Sequence, residues 1–179
     1  MHIGILTVSD RAARGDYPDL AGPFLRDVLA DRLQAEIDEY AVVPDEFERI
    51  KRTLIDWSDD RRLQLILTTG GTGFSPRDVT PEATLSVIQR EASGLARAML
   101  QAGLKSTPHA MLSRAAAGIR GSTLIVNLPG SPKAAQESLE TILPVLPHAI
   151  DLITDSPGAA DGHSAVQSSH NTVNNSADN

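Results

Sequence analysis

The sequence predicts an α/β fold built on a mostly parallel sheet. Short apolar runs alternate with segments whose apolar residues recur at helical spacing, in the order strand, helix, strand, helix, strand, helix, hairpin, helix. Two of the strands also run straight into glycine turns that open helices, the junction a parallel unit needs.

The elements follow in order. Ile3 to Val8 is a buried first strand ending at Ser9-Asp10-Arg11, and a polar loop continues to Gly22. Phe24, Leu25, Val28, Leu29 and Leu33 place a helix at 20–34. Ile37 to Val43 is the second strand, ended by Pro44-Asp45. Phe47, Ile50, Leu54 and Trp57 share a helical face, with Asp45 and Glu48 spaced as a capping box and Trp57 in the core. Leu63 to Leu67 is the third strand. Beyond the loop that follows it, Thr80 reads as an N-cap and Pro81 as a first helical residue. Leu85, Ile88, Ala92, Leu95 and Met99 then keep one helical face to residue 103, with a possible break at Gly94. Ala115–Ile119 and Thr123–Leu128 form a hairpin around Arg120-Gly121-Ser122. A last helix spans 133–154, bent or split at Pro144 and Pro147.

Residues 1–155 are expected to form one domain, because 179 residues suffice for a single core. Residues 156–179 are rich in Ser, Asn, Ala and Asp and read as a disordered polar tail. Aromatics at 3% and a net charge of -7 argue against nucleic acid as a partner. The absence of cysteine excludes disulfides, thiolate nucleophiles and cysteine-ligated metals. No apolar stretch has the length of a membrane span and no signal-peptide core is visible, so the expected location is cytoplasmic.

The chemistry concentrates at the expected strand tips, where ligands of such sheets bind. Thr68-Thr69-Gly70-Gly71-Thr72-Gly73 ends the third strand and Phe74-Ser75-Pro76-Arg77-Asp78 leads to the next helix. Glycines allow close approach of a ligand, and a helix N-terminus favours an anion. Asp78 beside such a site would repel phosphate unless a cation lay between, so the loop suggests phosphate with magnesium; an Asx-turn role is the competing reading. Asp45 reads either as a helix cap or as a site acid, and Asp10 as a site residue or a solvated loop residue. Ser113-Arg114 is a second candidate, with pairing to a surface acid as its alternative. Pro129-Gly130 forms another strand–glycine–helix junction, and Lys133 there opposes the helix dipole, as an anionic partner would explain. The histidines lack zinc-ligand spacing and no Ser–His–Asp order is present, so positioning and charge neutralisation fit better than a covalent nucleophile.

The runs 67–84, 111–121 and 124–132, with Val8-Ser9-Asp10 and Val43-Pro44-Asp45-Glu46, resemble the MogA/MoaB family, which includes the G domains of gephyrin and its plant counterpart. The likeness covers residues 3–154. It implies a three-layer α/β/α fold, a homotrimer, and molybdopterin adenylyltransferase activity: AMP passes from Mg-ATP to the terminal phosphate of molybdopterin, and pyrophosphate is released. It implies Asp45 and Asp78 as the essential acids, with magnesium held at Asp78 and assisted by Asp45. Thr69, Gly70, Gly71, Thr72, Gly73 and Glu82 would serve the nucleotide and phosphates. Ser9, Asp10, Ser113, Arg114, Pro129 and Gly130 would line the pterin and nucleotide pockets. The product would pass to a molybdate-inserting enzyme. Gly103 and Ala21 depart from the family by lacking a serine hydroxyl each. An inactive molybdopterin-binding or scaffold module is the alternative, and a missing acid at 45 or 78 would mark it; both acids are present.

Overall fold

In the computed structural model, which describes residues 1–155, the apolar runs become a twisted sheet with helices on both faces. The strands are β1 (Ile3–Val8), β2 (Ile37–Val43), β3 (Leu65–Thr69), β4 (Arg90–Glu91), β5 (Ala117–Arg120) and β6 (Thr123–Leu128). Their spatial order is β2-β1-β3-β6-β5-β4. β2, β1, β3 and β6 run parallel, whereas β5 and β4 close one side antiparallel. The expected fold class and its three layers are present. The expected tail lies outside the described residues.

The helices are α1 (Asp10–Ala13), α2 (Ala21–Leu33), α3 (Phe47–Ile55), α4 (Thr80–Leu85), α5 (Ser93–Ser106), α6 (Pro132–Ile142) and α7 (Leu146–Ile153). Successive residues of each strand feed opposite layers, as the two-residue period of a strand requires. Ile3, Ile5, Leu65, Leu67, Leu124 and Val126 pack with Leu25, Leu29, Met99, Leu139 and Leu146 from α2, α5, α6 and α7. Leu6, Val8, Ile66 and Ile125 pack with Ile50, Leu54 and Trp57 on the face covered by α3 and α4. Each central strand is therefore buried on both sides, which explains apolar runs without alternation.

Several local expectations change. The loop after β1 contains a short helix, α1, capped by Ser9, whose Oγ accepts the Ala12 N–H at 3.2 Å. β3 lies two residues later than expected, so Thr68 and Thr69 belong to the strand. Asp45 does not cap α3: Glu46 occupies the cap position without a side-chain bond, and the Asp45 carboxylate serves Asp10. Thr80 does not cap α4 either; Val79 precedes the helix, and the Thr80 hydroxyl is buried with no partner. The continuous face to residue 103 is broken at 86–92, upstream of Gly94, because the Gln89 and Ala92 N–H groups bond to Ile119 and Ala117 on β5. The last helix splits at Pro144 and Pro147 into α6, a 3-10 turn at Leu143–Val145, and α7, as expected.

β1 and β3 are neighbours whose following chains leave to opposite sides: β1 continues through α2 to β2, and β3 continues through α4 toward β6. The crevice beyond their carboxyl ends is the topological switch point, where open α/β sheets bind ligands.

Candidate functional site at the switch point

The tips of β3 and β6 touch. Gly70 N–H donates to the Leu128 carbonyl at 3.2 Å, Thr69 Oγ1 donates to the Pro129 carbonyl at 2.7 Å, and a Cβ on Gly130 would stand 3.1 Å from Gly70 Cα. Beneath them Asn127 is fully buried. Its Nδ2 donates to Thr68 Oγ1 at 3.0 Å and to Thr84 Oγ1 at 2.8 Å, while its Oδ1 accepts from Ala116 N at 3.2 Å. This network ties α4 to the sheet.

The loop then turns through Gly70 at φ 101° and Gly71 at φ 60°, left-handed backbone that favours glycine. A side chain on Gly70 would collide with the Val8 carbonyl. One on Gly71 would strike Thr80 Oγ1 and lie 2.9 Å from Asp45 Oδ1. These contacts place β1, β2 and β3 within touch of one another at their ends.

Two acids converge there. Asp45 Oδ2 accepts the Asp10 N–H at 2.8 Å, and the Asp45 N–H donates to Asp10 Oδ1 at 3.1 Å. Burial pushes the Asp45 carboxyl above its ordinary value; the Asp10 N–H opposes this, and the charges of Asp10 and Asp78 add to it. Asp10 shifts the other way because Arg77 grips it with two bonds. Asp78 Oδ2 accepts from Ser75 N at 3.1 Å, three residues back, so that oxygen closes the 75–78 turn and does not make the expected Asx turn, whose bond would run two residues forward. No hydrogen bond takes Oδ1 of either Asp45 or Asp78 among the described residues.

Two cavities open on the site, one of about 320 Å³ and one of about 700 Å³. Gly71, Asp78 and Gly130 line both, so the cavities meet at the glycine loop. Ser9, Asp45, Thr69 and Gly70 line the smaller one. Thr72, Gly73, Ser113 and Pro129 line the larger one.

Asp10, Glu82 and Arg114 line neither cavity and act as braces. Arg114 crosses behind the loop: its Nε donates to the Gly73 carbonyl at 2.7 Å, one terminal nitrogen to the Asp78 carbonyl at 2.6 Å, and the other pairs with Glu82. Lys133 is exposed and lies 3.9 Å from Glu137, an ordinary one-turn pair that needs no anionic ligand. Gly103 lines the larger cavity, and a side chain there would sit 3.0 Å from Ala110 Cβ in the 108–112 turn, a tight contact that a shift of a few tenths of an ångström would relieve. Ala21 is buried at the start of α2 and lines the smaller cavity.

Sequence reasoning missed two organising residues. Asp19 accepts from Thr7 Oγ1 at 2.6 Å, from the Tyr40 hydroxyl, and from the Ala21 and Gly22 N–H groups at 3.1 Å, fixing α2 on β1 and β2. The only signal was its position ahead of a helix, a cap preference. Arg77 carried no signal apart from its place beside Asp78.

Magnesium, which the resemblance implies, fits the donors present. Among the described residues no group of three or more His, Cys, Asp or Glu could hold a metal by itself. Two carboxylates, each with an oxygen to spare, suit an ion that takes its remaining ligands from water and substrate phosphates.

Fold and junction together define a class: a doubly wound α/β domain with a glycine-loop site at the switch point of its sheet. The chain belongs to the family described as a probable molybdopterin binding domain, whose pattern matches residues 4–148. It is 45% identical over 154 residues to the molybdopterin adenylyltransferase of Helicobacter pylori strain J99, covering 86% of this chain and 88% of that protein. It is 47% identical over 164 residues to gephyrin of Dictyostelium discoideum, covering 87% of this chain but only 23% of gephyrin. The crystal structure of the molybdopterin biosynthesis enzyme MoaB from Thermus thermophilus superimposes with a TM-score of 0.82 at 54% identity, covering 87% of this chain and 98% of that one.

Proposed function

We propose that this chain is a molybdopterin adenylyltransferase of molybdenum cofactor biosynthesis. A terminal phosphate oxygen of molybdopterin attacks the α-phosphorus of ATP, the bond to the bridging α–β oxygen breaks, and pyrophosphate leaves. The observation that carries this reading is the meeting of two cavities at Gly71, Asp78 and Gly130. A transfer between two substrates needs two pockets that bring their phosphates to one point, whereas a binding module needs one.

Each group present has work in that reaction. The bent backbone of Gly70 and Gly71 admits phosphate close to the sheet tips. Asp45 and Asp78 would hold magnesium, which when bound neutralises charge on the polyphosphate. Arg114 keeps the loop, and so Asp78, in place. The names of the relatives support molybdopterin as the acceptor. The homotrimer that the resemblance implies would have exposed apolar residues such as Phe74 and Met111 available to bury between copies.

Purified protein with molybdopterin, ATP and magnesium is expected to yield adenylylated molybdopterin and pyrophosphate, read by chromatography and mass spectrometry. Asp78→Asn should lower turnover by a factor of about 10² or more, as loss of a charge that positions the reacting phosphates does. Pterin binding without any transfer by the wild type would make the chain a binding or scaffold module. ATP binding without pterin affinity would make it a nucleotide-binding regulator.

A further inference from the structure

The loop that carries Asp78 is held from two sides. Arg114 grips it from the β5 side through the Gly73 and Asp78 carbonyls. Toward β1 and β2, its side-chain hydrogen bonds among the described residues run through Arg77. Arg77 Nε and a terminal nitrogen meet the two Asp10 carboxylate oxygens at 3.0 and 2.8 Å. Asp10 in turn exchanges two hydrogen bonds with Asp45, one through each main-chain N–H, at 2.8 and 3.1 Å. Three strand tips are thereby cross-linked in series: the β3 loop to the tip of β1, and the tip of β1 to the tip of β2.

We propose that Arg77 is a positioning residue, which, by gripping Asp10, sets the separation of Asp78 from Asp45 across the junction of the two cavities. The proposal rests on the adenylyl-transfer reading. Arg77 lines neither cavity, and its side chain is 58% exposed. Water reaches the pair from the Arg77 side, although Asp10 is only 25% exposed, so removing it costs a modest part of the stability and leaves a folded protein in which the distance between the acids is no longer fixed. The planar fork of arginine matters here, because two parallel bonds define an orientation that a single ammonium does not. Phosphoryl-type transfer is sensitive to displacements of the order of 1 Å.

The test is a double-mutant cycle of Arg77→Gln and Asp10→Asn. Arg77→Gln is expected to lower kcat by roughly 10- to 100-fold with the KM for ATP changed less than about threefold. Asp10→Asn should do the same, the double variant should be no worse than the poorer single one, and Arg77→Lys should recover only part of the rate. A raised KM for ATP at unchanged kcat would make Arg77 a direct phosphate ligand and overturn the proposal, as would losses that multiply or a variant with full activity. Crystal structures of wild type and Arg77→Gln give a readout independent of turnover. The Asp45–Asp78 separation should change in the variant, and an unchanged separation overturns the bracing even if the wild type transfers no AMP. Absence of transfer by the wild type with a shifted separation would sink the functional reading alone.

Discussion

Replacing Arg114 by alanine should cost far more than removing an ordinary surface arginine. The guanidinium makes two charge-assisted bonds to main-chain carbonyls, at 2.7 Å to Gly73 and 2.6 Å to Asp78, plus an ion pair with Glu82. Bonds of the first kind are worth about 1.5–3 kcal/mol each. The Glu82 side chain is 47% exposed, so that pair adds at most about 1 kcal/mol. Gly73 and Asp78 are only partly buried, so water recovers some of the loss and the total falls near 3–5 kcal/mol. Against a domain stability of about 5–15 kcal/mol this is a large fraction. With a urea slope of about 2 kcal/mol/M, the unfolding midpoint should drop by roughly 1.5–2.5 M at neutral pH. Arg114→Lys should lose about half as much, since one ammonium satisfies one carbonyl well. A midpoint for Arg114→Ala within about 0.5 M of wild type, at unchanged slope, would refute the claim that this side chain holds the loop.

Three further expectations concern pH. Burial raises the Asp45 carboxyl above 3.8, so the folded state takes up this proton before the unfolded state does; as pH falls from neutral toward 3.8, wild type should gain stability relative to Asp45→Asn. Asp10 is lowered, so its contribution is complete above 3.8 and is lost below that value; comparing urea midpoints of Asp45→Asn, Asp10→Asn and wild type across pH 3–7 checks both signs, and parallel curves would contradict them. Burial and the bond to Asp19 push the Tyr40 hydroxyl up to about 12, so the unfolded chain ionises first and stability should fall between about pH 10 and 12. Tyr40→Phe should abolish that part of the alkaline decline in a melting series, and an identical decline would show that Tyr40 is not its source.

The order of elements and the glycine loop were legible because their signals are local. Apolar runs of strand length, helical spacing in α2 and α3, and the prolines that split the last helix all act within a few residues. Strand tips collect ligands in any parallel sheet, so Ser9, Asp45, the 69–73 loop and Gly130 were placed at one rim from the chain order alone. The break at 86–92 was not legible, because it is made by hydrogen bonds to β5 and not by a glycine or proline.

What the residues do at that rim was decided by tertiary structure. Asp45 stands at a helix start, and local preference makes it a cap; its carboxylate goes instead to Asp10, 35 positions away. Arg114 reaches Gly73 across 41 positions, and Arg77 reaches Asp10 across 67. These contacts depend on the spatial order β2-β1-β3-β6, which brings three strand ends together. Periodicity along a chain reports which face of an element is buried, but not which neighbour buries it. Local chemistry therefore determined the elements and the loop, and the packing of the sheet determined which acids face the cavities and which arginines hold them there.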